Sequence, residues 1–120
     1  MMGHQAVKSY AHSNYVVVEP VGELDLYSTP DFRRQVEAAL SADTTPHLLC
    51  CDLTRVDFID SSALGELVRA HRACLAAGLT FCVVGAGTTT RQILHLTQLD
   101  TLIPGFGTLA EALASLDGRG

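Results

Sequence analysis

The alternation of hydrophobic and polar positions changes period several times along the chain, and each change predicts an element. Tyr15-Val16-Val17-Val18-Glu19-Pro20-Val21 is β-branched and aromatic, which predicts a strand closed by Gly22. Pro20 has no amide proton to donate, so an edge position or a bulge is expected there. Phe32, Val36, Ala39 and Leu40 then recur at helical spacing, with Arg33, Arg34, Gln35 and Glu37 turned to water. Ser28-Thr29-Pro30-Asp31 supplies the start of that helix: a hydroxyl cap, a proline in the first turn and an acid against the dipole. It should end near Ser41-Ala42-Asp43. His47-Leu48-Leu49-Cys50-Cys51-Asp52-Leu53 is nearly continuous in apolar character and short, the pattern of a strand buried on both faces.

After Asp57-Phe58-Ile59-Asp60 the helical period returns. Leu64, Leu67, Val68, His71 and Leu75 form one stripe, and Gly78 stops the helix. Leu79-Thr80-Phe81-Cys82-Val83-Val84 is a second buried strand, ended by Gly85-Ala86-Gly87. Thr88-Thr89-Thr90 is expected to cap a helix carrying Ile93, Leu94 and Leu96. Thr101-Leu102-Ile103 reads as a short strand, and Gly107-Thr108 precede a last helix with Leu109, Ala112, Leu113 and Leu116. Strand–helix alternation with short links predicts a single α/β domain over 14–118. Residues 1–13 are polar and unpatterned, either a loose terminus or an edge strand.

Composition narrows the function classes. The chain has 120 residues, is 48% hydrophobic and 18% charged, and so belongs with globular rather than disordered sequences. A net charge of −5, with seven arginines and one lysine scattered along the chain, argues against nucleic acid and anionic membranes as partners. Cys50, Cys51, Cys74 and Cys82 include no CxxC pair, and three lie in apolar runs, where a reduced thiol acts as a small hydrophobe. The start MMGHQAVKSY lacks the apolar stretch of a signal peptide, and no run approaches the ~18 apolar residues of a membrane span. A reducing cytoplasm is the expected compartment.

The chemistry concentrates in VDFIDSSALGEL, residues 56–67, where Ser61 and Ser62 stand between an acidic, apolar run and an amphipathic one. Such hydroxyls are usually helix caps, but they can also be nucleophiles or phosphate acceptors. Capping and modification are compatible, because one serine can cap while its neighbour faces outward. Ser62 is expected to cap and Ser61 to be presented, with the inverse assignment as the alternative. A nucleophilic Ser61 would need a base from His4, His12, His47, His71 or His95, yet no Gly-x-Ser-x-Gly elbow is present. His71 falls on the apolar stripe and His95 toward the surface. Gly85-Ala86-Gly87 lacks both the third glycine of a dinucleotide fingerprint and the lysine of a P-loop. Asp25, Asp57 and Asp60 could offer oxygens to Mg²⁺. Asp25 reads equally as a turn former, and Asp60 as a cap or dipole partner, so neither a metal nor a cofactor is expected.

Two motifs, Gly22-Glu23-Leu24-Asp25 after the first long strand and Asp60-Ser61-Ser62-Ala63-Leu64-Gly65 before the second helix, give the chain a family resemblance. Together with the order of elements, they make residues 15–116 resemble the STAS domain, specifically the anti-sigma-factor antagonists of bacteria. The resemblance implies a mixed sheet of about four to five strands layered with about four helices. It further implies a non-catalytic protein that binds an anti-sigma-factor serine kinase, is phosphorylated by it and released, and is reset by a serine phosphatase. Carried over, the acceptor is Ser61, with Ser62 as the alternative, and Asp25 lies near it. The implied kinase-binding surface comprises Gly22, Glu23 and Asp25 with Asp57, Asp60, Ser61, Ser62, Leu64 and Gly65. Glu66 and Arg69 on the exposed side of the second helix complete it. Ala63 departs from the glycine common in the family, and Thr88-Thr89-Thr90 replaces a frequent proline. The competing classes are a STAS-type sensor or scaffold module that binds a nucleotide or other small ligand, and a serine hydrolase.

Overall fold

The computed structural model describes residues 7–11, 14–41 and 46–116. Its elements run β1 (Val7–Ala11), β2 (Tyr15–Pro20), β3 (Gly22–Leu24), α1 (Thr29–Leu40), β4 (Leu48–Asp52), β5 (Val56–Ile59), α2 (Ser61–Ala76), β6 (Thr80–Val84), α3 (Thr88–Leu96), β7 (Gly105–Phe106) and α4 (Leu109–Leu116). Five strands form one sheet in the order β1-β2-β4-β6-β7, and β3 and β5 form a second, two-stranded sheet. β1 is antiparallel to β2, and the other pairings in the larger sheet are parallel. The fold is mixed α/β with four helices, as the strand–helix alternation predicts.

The two-residue period of the strands divides the core in two. Val16, Val18, Leu49, Cys51, Phe81 and Val83 point to one face, where they pack with Phe32 of α1, Leu67 and Cys74 of α2 and Leu94 of α3. Val17, Leu48, Cys50, Cys82 and Val84 point to the other, which α4 covers through Ala112, Leu113 and Leu116. Continuous apolar runs are what strands covered on both faces require, and both β4 and β6 carry one. All four cysteines are free and buried. Cys50 and Cys82 are cross-strand neighbours, and a hydrogen bond between them, reinforced by burial, pushes the Cys50 thiol up. Burial alone raises Cys74 to about 11.

Several local expectations are corrected. β2 is an interior strand without a bulge at Pro20; Pro20 is its last residue, beyond Val18, where the register with β4 ends, so its missing amide breaks no bond to β4. Gly22 does not simply close that strand but opens β3. The core stripe of α2 is Ala63, Leu67, Ala70 and Cys74, while Leu75 is 61% exposed. Small residues on this face let the helix approach the sheet closely. The helix ends as Gly78 implies: the Leu79 amide donates to Cys74 O at 2.8 Å and the Gly78 amide to Leu75 O at 3.1 Å.

Thr88-Thr89-Thr90 does not cap α3, because the cap position is Gly87 and the threonines form the first turn. Ser28 holds the cap position of α1 but makes no side-chain capping bond. Residues 101–103 are not a strand. Leu99–Thr101 is a 3₁₀ turn, held by Thr101 Oγ1 donating to Gln98 O at 2.7 Å and by the Leu102 and Ile103 amides on Leu99 O. Local bonds thus outcompete the ladder there, and the strand forms later, at Gly105–Phe106.

Candidate functional site

The start of α2 is built by a turn more than thirty residues earlier. β3 lies parallel to β5, with Glu23 opposite Phe58 and Leu24 opposite Ile59. The Gly22 amide donates to Arg55 O at 2.8 Å, which anchors the beginning of β3. At its end the chain folds into a closed network. Ser28 Oγ donates to Glu23 O at 2.9 Å and accepts from the Asp25 amide at 2.9 Å. One oxygen of Asp25 accepts the amides of Tyr27 and Ser28, at 3.0 and 3.1 Å. Asp25 is therefore the turn former that its residue type suggested. Ser28 faces back into this turn, which explains why it does not cap α1.

Asp60 joins that turn to α2. Its amide donates to Leu24 O at 3.2 Å, and one carboxylate oxygen accepts the Leu26 amide at 3.2 Å. The other oxygen accepts the Ala63 amide at 3.0 Å and the Ser62 hydroxyl at 2.6 Å. Asp60 is the N-cap of α2. The expectation that Ser62 caps is thereby corrected. A carboxylate is a charged acceptor and outcompetes a neutral hydroxyl for the first-turn amide, so Ser62 becomes a donor to the cap. The Ser62 hydroxyl, followed by the amides of Ala63, Leu26 and Ser62, holds the Asp60 carboxyl below its ordinary value against the opposing effect of burial.

Ser61 is the first residue of α2 and is exposed. No hydrogen bond from the described residues engages its hydroxyl. Around it, Glu23 and Asp57 are exposed, Leu64 is half-buried and Gly65 is exposed, and Arg69 is exposed one turn further on. Glu66 departs from the expected exposed side. It is 8% exposed and forms a two-point ion pair with Arg33 of α1, which in turn does not simply face water. The residues that periodicity missed are apolar. Leu26 is 63% exposed, Tyr27 80% and Phe58 52%. The first two sit in the turn tied to Asp60, and Phe58 lies two residues before it on β5. Tyr27 lies two residues after Asp25 and Phe58 between Asp57 and Asp60, but only the tertiary structure shows that these side chains face outward.

The alternative chemistries find little support in this arrangement. His71 is buried on α2, about 15 Å along the helix from Ser61. His95 is on α3 and bonded to Asp100 at 2.9 Å, and His47 precedes β4, where its carbonyl accepts the Thr80 amide just beyond the C-terminal end of α2, whereas Ser61 opens the other end of that helix. His4 and His12 lie outside the described residues. One oxygen of Asp25 and both of Asp60 accept hydrogen bonds within the turn and the cap, and among the described residues no three His, Cys, Asp or Glu side chains cluster as a metal site would require. Among the same residues no helix is long and apolar enough to cross a membrane.

Known proteins share this architecture. The chain is 29% identical over 107 residues to the anti-sigma-F factor antagonist RsfB of Mycobacterium tuberculosis, covering 89% of this chain and 85% of that protein. A crystal structure of an anti-sigma factor antagonist from Mycobacterium paratuberculosis superposes with a TM-score of 0.83 at 29% identity, covering 95% of each chain. The antagonist SpoIIAA in its unphosphorylated form gives a TM-score of 0.77 at 20% identity, covering 96% of this chain and 97% of the other, a likeness of fold. The sequence model of the STAS domain matches residues 6–112. The two motifs, the strand order and this match agree: the chain belongs to the STAS domain family.

Proposed function

We propose that this STAS domain is an anti-sigma factor antagonist. In this reading it docks on an anti-sigma factor that is also a serine kinase, accepts a phosphate on Ser61 and dissociates. A serine phosphatase then restores the binding form. The protein itself performs no catalysis and works in the cytoplasm. The observation that carries the reading is Ser61 itself: an exposed hydroxyl, engaged by none of the described residues, on the first residue of a helix whose cap is a neighbouring carboxylate. The names of the mycobacterial relatives support the same class.

The physics of the switch follows from the site. A helix N-terminus favours an anion by roughly 0.3–1 kcal/mol, so a phosphate on Ser61 leaves the fold intact. The group adds about −1.5 to −2 charges beside the ionised Asp60 and near the acidic Glu23, Asp25 and Asp57. Covering that charge with a partner carries a desolvation cost of several kcal/mol, which is a loss of affinity of roughly a hundredfold or more. Leu26, Tyr27 and Phe58 supply the apolar contact, and Glu23, Asp57, Gly65 and Arg69 the polar surround, of an interface of ordinary size, about 800 Å² per partner.

The test is incubation with candidate anti-sigma kinases and ATP, followed by mass spectrometry and affinity measurements on wild type, Ser61→Ala and Ser61→Asp. One phosphate on Ser61 and weakened binding of Ser61→Asp, with an unchanged melting temperature, are expected. Equal affinity of the two variants for the kinase would refute the switch.

A further inference from the structure

The parallel neighbours β6 and β7 lie at one edge of the larger sheet, yet the chain leaves them toward opposite faces. After β6 it turns through residues 85–87 into α3, whose Leu94 joins the core shared with α1 and α2. After β7 it turns through Gly107 and Thr108 into α4, which covers the other face. Where adjacent parallel strands send their connections to opposite faces, a crevice opens beyond their carboxyl ends. At this edge, on the side of α3, lies a cavity of about 340 Å³ bounded by β6, β7, α3 and the 3₁₀ turn, within the range that holds small ligands. Val83, Leu94, Leu99, Ile103 and Phe106 make its wall apolar.

Among the described residues Arg91 is the only basic one on that wall, and no hydrogen bond or ion pair from them engages its guanidinium. The acid on the same wall, Asp100, is directed to His95 Nδ1 at 2.9 Å. A guanidinium without a counter-ion beside an apolar cavity matches a carboxylate on an apolar body. The loops disfavour a polyphosphate: the Gly107 amide already donates to Glu111 Oε1 at 2.9 Å and the Gly85 amide to Phe106 O at 3.0 Å, and among the described residues no second cation lines the cavity.

We propose that the crevice bounded by the β6–β7 edge, α3 and the 3₁₀ turn binds a small amphipathic monocarboxylate, its apolar part against Leu94, Ile103 and Phe106 and its carboxylate on Arg91. The site is separate from the Ser61 surface, so either can fail without the other. The test titrates isotope-labelled full-length protein with naphthoate as the probe and naphthylmethanol as its uncharged control, read by heteronuclear NMR. Naphthoate shifts the amides of Ala86, Arg91, Gly105 and Gly107 saturably, and the alcohol binds about tenfold or more weakly. Arg91→Gln, an exposed position that leaves the fold unchanged, removes this preference for the acid. Ala86→Leu fills the cavity and abolishes binding of both probes. The proposal is overturned by the absence of saturable shifts at millimolar naphthoate, by shifts outside these residues, or by equal affinity for acid and alcohol. Undiminished binding in Arg91→Gln, or in a folded Ala86→Leu, overturns it equally, as does tighter binding of GTP than of naphthoate at this crevice.

Discussion

Arg33 of α1 and Glu66 of α2 meet in a two-point ion pair, Nε to Oε2 at 3.1 Å and Nη2 to Oε1 at 2.5 Å. The carboxylate is buried and the guanidinium half-exposed, so the pair seals the seam between the two helices from the solvent side. The Glu66 hydrogen bond and charge raise the Arg33 pKa further above its already high ordinary value, so this cation is permanent. Breaking one side of such a pair costs more than removing both, because a buried charge is left without a partner. Arg33→Ala should therefore lower the urea midpoint more than the double variant Arg33→Ala/Glu66→Leu. A double variant less stable than the single one would show that the pair does not carry the seam.

Asp60 should confer an acid-sensitive stability. Its folded pKa is depressed, chiefly by the Ser62 hydroxyl, so its contribution is fully present above the ordinary aspartate value of about 3.9 and is lost as pH falls through the lower folded value. Asp60→Ala should cost about 1 kcal/mol near neutral pH, the usual worth of an N-cap. The difference from wild type should shrink as pH falls below the ordinary aspartate value, as urea unfolding at a series of pH values will report. A gap constant with pH would show that the charge contributes nothing.

Ser62 and Ser61 should separate by substitution. Ser62→Ala removes the 2.6 Å bond to Asp60 and should cost about 1 kcal/mol while raising the Asp60 pKa toward its ordinary value, measurable by NMR titration. Phosphate incorporation by a cognate kinase should persist in this variant and disappear in Ser61→Ala. The reverse pattern would assign the acceptor to Ser62.

Tyr27→Ala should weaken kinase binding by about 2 kcal/mol or more, as loss of an aromatic anchor does, with little change in melting temperature because the side chain is largely exposed. Calorimetric titration checks the first outcome and thermal unfolding the second. Unchanged affinity in both Tyr27→Ala and Phe58→Ala would move the interface elsewhere.

His71 is buried, and its Nδ1 has no hydrogen-bond partner among the described residues. An unsatisfied buried polar group costs about 1–3 kcal/mol, so His71→Leu, which keeps apolar bulk, should be neutral or stabilising by about 1 kcal/mol in chemical denaturation. A marked loss of stability would mean that the ring is bonded in solution.

Much of this protein was legible in its sequence because hydrophobic period is a local property. The apolar runs of β4 and β6, the stripes of α1 and α4 and the Gly78 stop each depend on residues a few positions apart, and they specify an α/β fold. The motif around Ser61 was likewise visible, as was the turn-forming chemistry of Asp25. What periodicity could not reach are choices made between distant segments. Whether Ser62 or Asp60 caps α2 depends on β3, which brings the Leu24 carbonyl and the Leu26 amide to Asp60. Whether Glu66 faces water depends on Arg33, thirty-three positions earlier. The outward placement of Leu26 and Tyr27, and the crevice between the β6–β7 edge and α3, exist only once the strands are in register. Local spacing determines which elements form; the pairing of strands and charges far apart in the chain decides which side chains remain free to act.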